Sequence, residues 1–139
     1  MATNILQKLM KMDASKLSER PTKDYEVKRL SKLMGEPFVL KLQSIPADLY
    51  SDIQSDCIDI KKSSVDNIDL YKLQFRTIVE GVQEPNLKDK DLMAHFNVKT
   101  PIDLVNKLFI PGEISDISAQ ITSLCGFESQ KDVDEQVKN

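Results

Sequence analysis

The residues of this chain that could do chemistry are few and scattered. A single histidine, His95, lies in KDKDLMAHFN, and of the positions one helical turn away only Asp91 could work with it. General-base or metal chemistry at a histidine needs further donors converging on the same point, so His95 reads as a surface or hydrogen-bonded side chain. Cys57 and Cys125 stand alone in different segments, without the close spacing of a zinc site or the density of a disulfide framework. They read as two reduced, buried thiols. Carboxylates are plentiful in DKD (89–91) and DVDE (132–135), but their neighbours are polar. Such groups stay solvated and keep ordinary pKa values, whereas a catalytic carboxylate is usually tuned by burial. There is no glycine-rich phosphate loop and no nucleophile elbow. The reading is therefore no enzyme, no cofactor and no metal, leaving interaction through surfaces.

The elements that would carry such surfaces are mostly helical. The chain has 139 residues, 40% hydrophobic and 29% charged, enough for one domain with its own core. No run approaches the roughly 18 apolar residues of a spanning helix, and the first residues lack the pattern of a secretory signal. The expectation is a cytosolic protein with no membrane partner. Residues 1–45 hold nine Lys/Arg against five Asp/Glu (+4), and residues 46–139 hold ten against seventeen (−7), which together give the net charge of −3. The basic excess is thin and interspersed, unlike a nucleic-acid footprint, so no nucleic-acid partner is expected.

Ile5, Leu6, Leu9 and Met10 predict a short amphipathic N-terminal helix, followed by a polar linker up to Pro21. Over 25–30 and 37–45 the apolar residues alternate, which is strand spacing, and Met34-Gly35-Glu36-Pro37 between them reads as the turn of a β-hairpin. Helices are expected from Pro46 through Cys57 and, after the polar loop 61–67, along the stripe Ile68, Tyr71, Phe75, Ile78, Val79 and Val82, with Gly81 and Pro85 marking the stop. Asp89 can cap a short helix with Leu92, Met93 and Phe96 inward and Asn97 at its end. Thr100-Pro101-Ile102-Asp103 opens another helix, Pro111-Gly112-Glu113 breaks it, and a last helix runs to Gly126 with Phe127 folding back over its end. The fold class is thus α+β, mainly α-helical, with one N-terminal β-hairpin packed against about five short helices. The chain divides into an N-terminal helix and linker (1–22), an α+β domain (23–127) and a flexible charged tail (128–139).

The stretch KLFIPGEI places four large apolar residues in eight positions across a helix break, more than one helix face can bury. Leu104, Leu108, Phe109, Ile110 and Ile114 are the candidate partner-binding residues, with the corner of the core as the alternative reading of the same turn. Gly81, Pro85, Pro111, Gly112 and Gly126 read as backbone devices.

From Gly81 to Phe127 the chain resembles the XkdN-like phage tail assembly chaperones: GV-x-E-P-N-L, a short helix closing at Phe96-Asn97-Val98, TP-x-x-L-V-x-K-L, the PGE turn, and a helix ending L-C-G-F. The order and spacing of these motifs carry the resemblance, which extends more loosely over 25–58. Asn97 stands where glycine is more usual, and asparagine is the next-best residue for a left-handed helix end. The resemblance implies a protein of the host bacterial cytoplasm that binds the tape measure protein, keeps it soluble while the tail tube polymerises, and is absent from the mature tail. It further implies, for several such systems, a longer frameshifted product through which the tail tube protein becomes a second partner. A homo-oligomer is compatible with it. A structural tail or baseplate component retained in the particle is the rival reading.

Overall fold

The computed structural model describes residues 4–57 and 69–127. The segment read as a polar loop (61–67) and the charged tail (128–139) lie outside the described residues.

Two short helices come first, α1 (Ile5–Met10) and α2 (Ala14–Ser18). Each begins at a side chain able to accept from the free amides of a first turn: Asn4 takes Leu6 N–H at 2.7 Å and Asp13 takes Ser15 N–H at 3.0 Å. The stretch read as a linker thus contains a turn of helix. The chain then alternates strand and helix through β1 (Thr22–Glu26), α3 (Lys28–Met34) and β2 (Val39–Gln43). The expected simple hairpin is wrong in two ways, although the α+β class stands. β1 and β2 do pair antiparallel, Thr22 opposite Gln43 and Tyr25 opposite Leu40, but a helix of two turns joins them instead of a tight turn. Lys28-Arg29-Leu30-Ser31-Lys32-Leu33-Met34 is rich in good helix formers, and the alternation at Tyr25 and Val27 is too short to outweigh them. Gly35 does take a positive φ, 73°, but as the end of α3, donating its N–H to Ser31 O at 3.0 Å. That is a left-handed helix cap. Ser31 stitches the unit together, donating to Glu26 at 2.8 Å and accepting Phe38 N–H at 2.8 Å.

The second correction is a third strand. β3 (Val82–Glu84) adds antiparallel to β2, with Leu42 opposite Val82 and an irregularity between Lys41 and Leu42. The sheet order is β1-β2-β3, which makes β2 central. Sequence periodicity assigned Val82 to the preceding helix because Ile78, Val79 and Val82 suit a helical stripe as well as a strand. The backbone turns extended at Val82 (φ −89°, ψ 114°), ending the helix and opening the strand at one residue.

The remaining helices are α4 (Ala47–Asp56), α5 (Leu70–Gly81), α6 (Lys90–His95), α7 (Pro101–Leu108) and α8 (Pro111–Leu124), so eight occur among the described residues against the five expected. The capping residues read from sequence do start them. Asp89 accepts Leu92 N–H at 2.9 Å, and Thr100 accepts Asp103 N–H at 3.1 Å with Pro101 in the first turn. Asn97 takes φ 58° at the end of α6. α5 lies across the molecule, packed on α8 and α7. One hydrophobic cluster joins Leu40 and Leu42 from the inner face of β2, Ile53 of α4, Phe75 and Ile78 of α5, Leu104 and Val105 of α7, and Ile117 and Ile121 of α8.

Candidate functional site

The PGE turn is built from a helix end, a helix start and one long-range ion pair. α7 stops at Phe109, whose backbone is extended (φ −121°, ψ 148°), and Pro111 fits the first turn of α8, where its missing N–H costs nothing. Ile110 occupies the cap position of α8 but has no side-chain acceptor. Glu113 supplies half of a capping box instead, accepting Ile110 N–H at 3.1 Å. The same carboxylate takes a two-pronged pair from Arg29 of α3, with Nε and Nη2 each at 2.9 Å. Arg29 Nη2 also donates to Leu108 O at 2.8 Å, satisfying a carbonyl at the end of α7. Glu113 is largely buried, and its hydrogen bonds from Arg29 hold its carboxyl below the usual glutamate range against the opposing effect of burial.

The pair is one end of a polar seam. Glu113, Asp116 and Gln120 lie at three- and four-residue steps on α8, and they face Arg29, Tyr25 and Lys23 in reverse order. Tyr25 O–H donates to Asp116, and Lys23 Nζ donates to Gln120. Burial first, then the Asp116 carboxylate, push the Tyr25 hydroxyl up to about 12. This seam fixes α8 along strand β1, and with it the angle at which the PGE turn projects.

The five residues singled out in the sequence divide by burial. Leu104 (0% exposed), Phe109 (3%) and Ile114 (3%) are core, Leu108 is half-buried, and Ile110 is 49% exposed. The turn is therefore both a corner of the core and a presenter of one apolar side chain. At the start of α5, Leu70 and Tyr71 are exposed, and the Tyr71 hydroxyl reaches Asn106 of α7 at 3.4 Å. Sequence reasoning missed Arg29, because no local signal connects it with a carboxylate 84 positions away.

The chemical candidates fall elsewhere. His95 is exposed on α6 with its ring edge-on to Phe96 at 4.9 Å. Cys57 is buried and its thiol pushed up by burial, while Cys125 is half-buried and accepts Ile45 N–H at 3.3 Å. Among the described residues no three metal-ligating side chains gather, and no helix is long and apolar enough to cross a membrane.

The motif residues turn out to be structural devices. In GVQEPNL, Gly81 lies against Ile121, Val82 begins β3, the Glu84–Pro85 peptide is cis, Asn86 accepts Lys88 N–H at 3.0 Å, and Leu87 is fully buried. In LCGF, Gly126 has φ 99° and Phe127 N–H returns to Thr122 O at 3.3 Å, the bond pattern of a Schellman cap. The Phe127 ring stacks on Tyr50 of α4 with centroids 5.3 Å apart. Compared with known families, residues 6–138 match the model of the phage XkdN-like tail assembly chaperone protein. The chain belongs to that family. Among solved structures, the crystal structure of the protein YqbN, a structural genomics target, superposes with a TM-score of 0.58 at 19% identity, covering 77% of this chain and 87% of the other. It shares the fold. No curated protein matches the chain. In this XkdN-like protein, then, the residues that carry the family pattern set helix ends, the third strand and the α5–α8 contact.

Proposed function

We propose that this protein binds the tape measure protein of its phage in the host bacterial cytoplasm, keeps it soluble while the tail tube assembles, and is absent from the mature tail. The observation that carries this reading is the family match over residues 6–138. A long helical client that must later be covered by the tube calls for moderate, reversible apolar contacts more than for a deep pocket. The contact we propose is centred on Ile110 and the open flank of Leu108, with Leu104, Phe109 and Ile114 supporting it from beneath. The Arg29–Glu113 pair holds this corner in one geometry, so little ordering is left to be done on binding.

Co-expression with the tape measure protein encoded beside it tests the proposal, scoring soluble tape measure protein and co-purification. Ile110→Asp is expected to fold like the parent and lose the complex. Phe109→Asp places a charge in the core and is expected to fail in folding, so it reports nothing about binding. Insoluble tape measure protein beside a folded chaperone, together with this chain in purified tails, would overturn the proposal in favour of a structural tail component.

A further inference from the structure

Strand β1 is one edge of the sheet. Val27 N–H donates to Phe38 O and Ser44 N–H to Pro21 O, each at 3.0 Å, so in the register that sets Tyr25 opposite Leu40 the odd-numbered residues turn their backbone groups toward β2. The alternate residues of an antiparallel strand turn theirs the other way, which leaves the N–H and C=O groups of Thr22, Asp24 and Glu26 facing outward. Four of the five residues of β1 are exposed and Tyr25 is half-buried. Such an edge is a template for a further strand. The charges beside it are unbalanced. On the outer face of the sheet Lys41 stands between Asp24 and Glu84, and Glu26 stands opposite Val39, three carboxylates to one cation. On the inner face Asp116 of α8 receives the Tyr25 hydroxyl, while Arg29 is taken up by Glu113 and Lys23 by Gln120. Among the described residues, Asp24, Glu26 and Asp116 are in no ion pair. A cleft of about 420 Å³ lined by Tyr25, Glu26, Lys28, Glu113 and Asp116 continues the edge at its far end.

We propose that this edge takes an extended polypeptide segment with lysine or arginine at alternate positions, added antiparallel to β1 as a fourth strand. Residues opposite each other in a ladder share a face, so the basic side chains lie on the outer face against Asp24 and Glu26. The side chains between them lie on the inner face beside α8. On the side of the polar seam away from Ile117 and Ile121, α8 exposes the small residues Ser115 and Ala119, which leaves room for them. A second copy of the chain is the wrong occupant. Two β1 strands paired antiparallel about Lys23 set that lysine opposite its own copy, paired about Asp24 they do the same with the aspartate, and paired about Tyr25 they set Asp24 opposite Glu26 twice. Like charges in direct opposition destabilise each of these registers. The charges of β1 thus keep the edge from its own kind and leave it open to a strand of opposite charge.

Neither the site nor its test involves the tape measure protein. The probe is a peptide of the length of β1 that alternates lysine and valine, titrated into the isotope-labelled full-length chain and followed by NMR. Binding is expected to shift the amide signals of Thr22, Asp24 and Glu26 and to slow their exchange with solvent, while Tyr25 and Val27, already bonded to β2, keep their protection. The lysine amides of the bound peptide face β1, so methylating them should weaken binding at least about tenfold, whereas methylating the valine amides should change it by less than about twofold. Asp24→Lys, at an exposed position, should weaken binding at least about fivefold, with circular dichroism to check the fold. Equal binding of the two methylated peptides would overturn the proposal by reducing the contact to charge attraction. So would equal binding of a glutamate–valine peptide, amide shifts confined to residues outside β1, or no binding of the lysine–valine peptide. Protection of the same three amides in the free chain as its concentration rises would overturn it in favour of a second copy.

Discussion

Gly81→Ala is expected to destabilise the protein although alanine is the better helix former. Gly81 closes α5 with ordinary negative φ, so the backbone itself accepts any residue. The obstacle is Ile121 of α8. A methyl at position 81 would lie 2.6 Å from Ile121 Cδ1, 2.6 Å from Cγ2 and 2.9 Å from Cγ1, all well inside contact distance. Ile121 is fully buried and cannot swing into solvent, so α5 and α8 must separate or the side chain must leave its rotamer. Overpacking of this kind costs about 1–3 kcal/mol, and the gain in helix propensity returns about 0.5–1 kcal/mol. The net loss centres on about 1 kcal/mol, read as a fall of about 3–5 °C in melting temperature. A double-mutant cycle isolates the cause. Ile121→Ala alone removes the three clashing atoms and costs about 2–5 kcal/mol through the space it leaves. In the Ile121→Ala background the new methyl enters that space, so Gly81→Ala should become neutral or stabilising by up to about 1 kcal/mol. Urea unfolding of the four proteins measures this change of sign. An equal cost of Gly81→Ala in both backgrounds would refute the close-approach argument.

The remaining predictions concern the PGE turn, a helix end and the thiols. The pKa of Glu113 is lowered in the folded state, so its pairing contributes stability that is complete above the ordinary glutamate pKa and is lost as pH falls through the lower folded value. Glu113→Gln should flatten the acid limb of a stability-against-pH curve from about pH 4.5 downward, and an unchanged limb would show that the pair is inert. Glu113→Ala, which also removes the contact to Ile110 N–H, should cost about 1–2 kcal/mol in urea unfolding. Asn97 sits at φ 58°, so Asn97→Ala should lose about 1 kcal/mol while Asn97→Gly stays within a few tenths or gains, and equal values for the two would remove the left-handed cap from the account. A thiol-reactive dye should modify Cys125 well before Cys57, which is 1% exposed and pushed up in pKa by burial, and mass spectrometry of the labelled peptides would expose the reverse order.

Helix ends were the most legible part of the sequence. Asp89, Thr100, Pro101, Asn97 and Gly126 act on backbone groups within one turn of themselves, so their residue types declared what they would do, and the PGE break followed from Pro111 alone. The motif order from Gly81 to Phe127, which assigns the family, was equally open to reading. Strand pairing was not. Whether Val27 to Leu30 continued a strand or entered a helix, and whether Val82 ended a helix or began a third strand, depended on Phe38 and Leu42 offering a ladder from elsewhere in the chain. Burial divided the candidate residues in the same way: Leu104, Leu108, Phe109, Ile110 and Ile114 are alike in type, and only the packing of α7, α8 and α5 put three of them inside and left Ile110 out. Arg29 belongs to this second class, since its partner Glu113 comes within reach only when α3 and α8 are laid side by side. Local hydrogen bonding and periodicity span about four residues and are written in the sequence. The sheet, the ion pair and the exposed surface come from contacts between residues far apart in the chain, and those the tertiary structure alone decides.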